Sequence, residues 1–357
     1  MADLFRGNCL PVLIGSLPLT NHAEAAQLVL NYTPQIPVWV QLPAFKEEGM
    51  IVQFLPGLPG LVTQGDRVFI DVSGENFDND LVSFYEDYMA VTEESDDLSS
   101  SRFVLKQDTA EGFFVLIEHI STFSAPLKAV KGQVTGPITF TTGLSDQNRR
   151  AIFYDEQLRD VAVKHLALKA RWQVRQLSQF GYPVIIFIDE PALAGFGSSE
   201  FTSITREDIT TCLNEVIESI HIEGGLAGVH VCANTDWSML LESSVDIVNF
   251  DAYAYFDKFI LYPDQIVRFF ESGRTLAWGI VPTLHAEDIE KETAESLITA
   301  WEKRCEQVQS LGIDRSSIMT QSLITPSCGC GSLSKDHAVK VLELTKEISE
   351  NLRSRIS

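Results

Sequence analysis

The sequence predicts an α/β fold, a single (β/α)8 TIM barrel with an irregular insertion after the second strand. Three observations predict it. Eight short β-branched apolar runs recur along the chain, each followed by polar or Gly/Pro punctuation and then a longer helical pattern. Strands alternating with helices imply parallel βαβ units, because a parallel return needs a crossover. No GxGxxG follows the first run, which removes the main support for an open doubly wound sheet. A chain of 357 residues, 45% of them hydrophobic, can be filled by one such barrel spanning 1–357.

In chain order the runs are 11–14, 37–40, 130–134, 184–188, 228–231, 246–250, 275–280 and 318–324. Between the second and third lies the least regular part, 55–123. It holds a turn-forming cluster (Pro56, Gly57, Pro59, Gly60), an acidic stretch over 66–97 and the loop EESDDLSSS at 93–101. Such a charge run is normally a solvated face, so the segment reads as an insertion rather than a second domain. The longest helical stretch, 156–179, stops at Gly181 and Pro183, where the next strand begins.

Charge and cysteine usage restrict the function. Lys+Arg total 27 against Asp+Glu 49, a formal net charge of −22. A polyphosphate or anionic membrane partner needs a positive footprint, so nucleic-acid and membrane-surface binding are disfavoured. No segment reaches the roughly 18 apolar residues of a membrane span, and MADLFRGNCLPVLIGSLP has no apolar run of signal length. Six cysteines in a chain this long are no disulfide scaffold, and a reducing cytoplasm is the expected compartment.

In a barrel, side chains at the C-terminal ends of the strands converge on one face. Here those ends carry Ser16, Gln41, Thr135, Asp189, His230 with Cys232, Asp251, His285 slightly beyond its strand, and Cys328. His230 and Cys232, at i and i+2, point to one side of the pleat. An imidazole nitrogen and thiolates suit tetrahedral Zn2+, and Cys328 after the last strand completes three ligands, leaving one position for a substrate atom. Asp251 is either a fourth, displaceable ligand or a carboxylate that orients His230; Cys330 competes with Cys328 for its place. Asp189 and Glu190, directly after a buried strand, must bind something or be neutralised. Asp189 suits a substrate ammonium group. Ser16 sits on a turn whose N–H groups suit a carboxylate.

Taken together, IGSLP (14–18), VKGQVTGPITF (130–140), IDEPAL (188–193), HVC (230–232), VNFDAY (248–253) and PSCGCG (326–331) occur in an order that resembles the C-terminal catalytic barrel of cobalamin-independent methionine synthase. The resemblance covers nearly the whole chain and is weakest over 45–125. It implies that His230, Cys232 and Cys328 are the zinc ligands, with Asp251 where the family has a glutamate ligand. It assigns Asp189 to the homocysteine amino group, Ser16 to its carboxylate, and His285 to the neighbourhood of the catalytic histidine that protonates the leaving group.

The activity implied by the resemblance is that of a Zn2+-dependent methyltransferase that moves a methyl group to the thiolate of homocysteine, giving methionine. The family's additional N-terminal barrel, which helps bind polyglutamylated folate, has no counterpart in the sequence. The expected donor is therefore a methylcorrinoid, carried by a partner protein, rather than methylfolate. The alternatives are transfer to another small thiol such as coenzyme M, and a non-catalytic zinc- or corrinoid-binding relative. The related uroporphyrinogen decarboxylases use arginines against substrate carboxylates, and PVWVQLPAF (37–45) has none.

Overall fold

The computed structural model describes residues 5–93, 97–196 and 203–356. Among the described residues, nine strands lie in two sheets: β1 (Leu10–Pro11), β2 (Leu61–Gln64), β3 (Arg67–Ile70), β4 (Val130–Thr135), β5 (Val184–Asp189), β6 (Leu226–Val231), β7 (Ile247–Phe250), β8 (Thr275–Val281) and β9 (Ser322–Pro326). β2 and β3 form an antiparallel hairpin. The other seven form one sheet in the order β1-β9-β8-β7-β6-β5-β4, parallel at every pairing. Every residue of β4, β5, β7, β8 and β9 is buried, which is why these strands read as near-continuous apolar runs.

The second apolar run does not form a regular strand. It lies between the two edges of the sheet and touches both, through parallel bridges Val38↔Lys131 and Ser16↔Gln41. Lys131 N donates to Pro37 O (2.8 Å), Leu17 N to Gln41 O (3.1 Å) and Gln41 N to Gly15 O (3.0 Å). Pro37 has no N–H to give a ladder, and pairing of this segment is reduced to single bridges. The side chains enclosed by the sheet form their own cluster, including Leu10, Val12, Ile14, Ile36, Ile185, Phe187, Ile247 and Leu323.

Two expectations need correction. Residues 318–320, expected in the last strand, complete the helix Arg315–Thr320, with Ile318 N donating to Asp314 O and Gln321 N to Ser317 O. The strand begins at Ser322. The stretch 55–123 is more ordered than its composition implies. Besides the hairpin it contains the helices Phe77–Thr92 and Glu111–Thr122; residues 94–96 of the loop 93–101 lie outside the described residues.

This segment is fastened to the 22-residue helix Glu156–Leu177, whose Asp155 cap accepts from Gln157 N and Leu158 N. His165 Nε2 donates to Phe54 O (2.9 Å), Lys169 Nζ to Val104 O (3.0 Å) and Tyr85 OH to Asp160 (2.8 Å), while Trp172 packs on Phe113 and Phe114. Among the described residues, no helix is long and apolar enough to cross a membrane.

Candidate metal centre and substrate cavity

A cavity of about 310 Å³ opens at the C-terminal ends of the strands. Ser16, Asp189, His230, Cys232 and Cys328 line it, with Gln41, Met50 and the glycines 329 and 331. Five expected residues, drawn from four separate stretches of chain, thus share one wall. The lining contains no lysine or arginine.

His230, Cys232 and Cys328 form the metal-capable group among the described residues, their ligand atoms all within 4.8 Å of one another. The two sulfurs are close enough to share a proton: a hydrogen bond from Cys328 drops the Cys232 thiol to about 4, and the same bond pushes Cys328 up. His230 Nε2 is buried without a hydrogen-bond partner, while its Nδ1 bonds Asn249 Oδ1. An orphaned ring nitrogen beside two paired thiols is costly as it stands and matches the N and S preference of zinc. These residues fit the ion.

Asp251 is not in that group and does not line the cavity. It ends up as the cap of the helix Ala252–Phe259, its Oδ1 accepting from Ala254 N (2.8 Å), and burial pushes its carboxyl up to about 6. The group that meets the His230 ring is Asn249, which the sequence reading missed. Asn249 is fully buried, and its Nδ2 donates to Ala277 O (3.0 Å) and Thr325 Oγ1 (2.9 Å). Cys330 turns into the apolar core, its thiol pushed to about 12 by burial, and it does not replace Cys328 in the cluster.

The adjacent acids after β5 diverge. Asp189 faces the cavity with Oδ1 buried and unpartnered, and burial lifts its carboxyl to about 6. Glu190 points the other way. It accepts from Ile138 N (2.8 Å), Thr139 N (2.8 Å) and Thr139 Oγ1 (2.6 Å) at the start of the helix Pro137–Gly143. Behind the cavity, Lys131 is fully buried, with Nζ donating to Ile14 O (2.5 Å) and lying 4.2 Å from the centre of the Phe187 ring. Burial lowers its ammonium to about 7, opposed by the Asp189 charge.

Ser16 joins the first turn to the last. Its Oγ accepts from Gly331 N (3.2 Å), and its carbonyl accepts from Cys330 N (3.0 Å). A side chain at position 329 would place Cβ 2.2 Å from Ser16 Oγ, so only glycine permits the approach. His285 is exposed at the start of the short helix Ala286–Lys291 and does not line the cavity.

Comparisons with known proteins agree with this architecture. A family model described as the catalytic domain of cobalamin-independent synthase matches residues 113–351. A B12-independent methionine synthase from Shewanella sp. W3-18-1, solved with selenomethionine, is 17% identical, covers 98% of this chain and 99% of its own, and superposes with a TM-score of 0.57. At that identity the likeness is one of fold. The mannanase BCman of Bacillus subtilis is 13% identical over 93% of this chain and 86% of its own, with a TM-score of only 0.38. No curated protein matches.

Proposed function

The chain belongs to the cobalamin-independent synthase family through its catalytic domain, and on that premise we propose that it is a zinc-dependent methyltransferase converting homocysteine to methionine. The observation that carries the reading is the juxtaposition of His230, Cys232 and Cys328, with one buried nitrogen left without a partner, on the wall of a cavity sized for an amino acid. We also propose that the seven-stranded sheet and the bridging segment at 37–41 act as one closed eight-stranded barrel and one domain.

His230 Nε2 and the two cysteine sulfurs would hold the zinc. When bound, zinc lowers the pKa of a coordinated substrate thiol and orients its lone pair. The remaining work falls to this chain's own groups. Asp189, whose Oδ1 has no hydrogen-bond partner, binds the substrate ammonium; Ser16 and the turn at 329–331 meet its carboxylate. Together they fix the amino-acid end, so the sulfur is held at one point on the wall. This also favours homocysteine over coenzyme M, whose sulfonate has no use for Asp189. His285 enters the reading as the proton donor to the leaving group, which requires the turn after β8 to fold over the mouth.

The donor is proposed to be a methylcorrinoid, presented by a partner protein, rather than methylfolate. Support comes from the lining, which offers no cation to a polyglutamate tail, and from the net charge of −22. Six free cysteines favour a reducing, cytoplasmic setting. The test is zinc-loaded protein assayed with homocysteine against methylcobalamin and, separately, methyltetrahydrofolate. Methionine from methylcobalamin is expected. Turnover only with methyltetrahydrofolate would overturn the donor, and turnover of neither, in protein holding stoichiometric zinc, would overturn the activity.

A further inference from the structure

We propose that Asn249 is the positioning residue that fixes the tautomer of His230 and thereby makes Nε2 its ligating nitrogen. The inference rests on the zinc reading for its functional meaning, but its steps are donor and acceptor assignments. The Ala277 carbonyl can only accept. The Asn249 amide atom 3.0 Å from it is therefore the NH2 group, and the same group lies 2.9 Å from Thr325 Oγ1. Both amide hydrogens are thus used. The other end of the amide is an oxygen, and it faces His230 Nδ1.

Two acceptors cannot bond, so Nδ1 carries the proton. When the imidazole is neutral it has one N–H, so with Nδ1 holding it Nε2 is the nitrogen that keeps a lone pair. That nitrogen is the buried one with no hydrogen-bond partner, and it sits in the cluster with both cysteine sulfurs. The amide cannot turn over, because its oxygen would then meet the Ala277 carbonyl.

Asn249 is fully buried on β7 and reaches β6, β8 and β9 at once. Aspartate would not substitute. It has no hydrogens for Ala277 and Thr325, and it would place an additional charge in a buried layer. A neutral amide locks the ring without adding that charge, leaving the charge of the centre to the two thiolates.

The experiment reads the ring nitrogens directly. Long-range 15N–1H spectra are recorded on metal-free and zinc-loaded protein, with His230→Gln assigning the His230 signals. The expected result is Nδ1–H in both forms, with Nε2 bare in the neutral metal-free ring, its spectra followed to alkaline pH, and coordinated when zinc is bound. Asn249→Leu is expected to weaken zinc binding, measured by chelator competition, roughly 10- to 100-fold, the usual effect of losing such a partner. A neutral metal-free ring whose single proton sits on Nε2, or an Asn249→Leu protein binding zinc within about threefold of the wild type, overturns the proposal. If Asn249→Leu does not fold, the wild-type tautomer decides alone. Wild-type protein that takes up no zinc, with His230 still protonated at Nδ1, overturns the zinc reading and the ligating role together, while the tautomer assignment stands.

Discussion

Exchanging each of the adjacent acids Asp189 and Glu190 for its amide should separate binding from stability. The two changes remove the same charge from neighbouring positions, and both side chains are buried. Glu190 accepts three hydrogen bonds, two from backbone N–H groups and one from a hydroxyl. In Glu190→Gln one oxygen becomes NH2 and opposes a backbone donor, leaving two buried donors face to face. Each unsatisfied group costs about 1–3 kcal/mol, and relief of the buried charge offsets part of that, so a net loss of about 2–4 kcal/mol is expected. Asp189 Oδ1 has no partner to lose. Asp189→Asn should therefore change stability by less than about 1 kcal/mol while lowering kcat/KM for homocysteine by about 2–4 kcal/mol, roughly 30- to 1000-fold. A thiol lacking the amino group should lose much less. Urea unfolding and steady-state kinetics measure the two. Equal losses of stability, or equal kinetic losses for both thiols, would refute the assignment of Asp189 to a substrate ammonium.

The metal and the scaffold are open to equally direct tests. Cys232→Ser or Cys328→Ser should lower zinc content by elemental analysis, whereas serine at Cys9, Cys212 or Cys305 should leave it unchanged; unchanged metal in the first two would remove the centre. Gly112→Ala places Cβ 2.0 Å from the Val40 carbonyl, so thermal unfolding should show a loss of about 1–3 kcal/mol or more, and none would mean that the helix Glu111–Thr122 does not press on the segment at 37–41. His165 should make stability depend on pH. Burial, with the Lys169 charge adding to it, holds this imidazole well below its ordinary 6.5. The folded ring then binds fewer protons than the unfolded one, so its contribution is intact above pH 6.5 and is lost as pH falls toward the buried ring's own pKa. Relative to His165→Gln, which keeps a donor for Phe54 O, the wild type should lose up to about 2 kcal/mol between pH 7 and 5 by urea unfolding. Parallel curves would place the pH dependence elsewhere.

Much of the scaffold was legible because parallel strands are buried on both faces. The runs at 130–134, 184–188 and 275–280 each ended one residue short of β4, β5 and β8. The first two runs are apolar like the others, but the first pairs over only two residues and the second only through isolated bridges. Over 55–123 turn residues and charge hid two helices whose apolar faces pack on the scaffold. The cavity was legible at strand ends, where polar side chains interrupt apolar runs. Of the adjacent acids only Asp189 was expected at the substrate, in keeping with the two-residue period of a strand, which sends neighbours to opposite faces. Asn249 went unnoticed because a buried amide inside a strand resembles a break in the pattern, and its partners come from β6, β8 and β9. Asp251 was expected at the metal by its type and position, and in the structure one of its oxygens caps the helix that starts at Ala252.

The clasp between Ser16 and residues 330–331 joins positions some 315 apart in sequence. Contacts of such separation close late in folding, after the loop entropy of the whole ring has been met. Cys328 lies two residues before this clasp, so the proposed three-ligand set would be complete only once the ends of the chain have met. His230 and Cys232 can be in place while the third ligand is still being synthesised. Metal uptake would then report ring closure, and refolding followed by a zinc-release dye should lag behind refolding followed by the fluorescence of the interior tryptophans Trp237 and Trp278, which pack against Phe250.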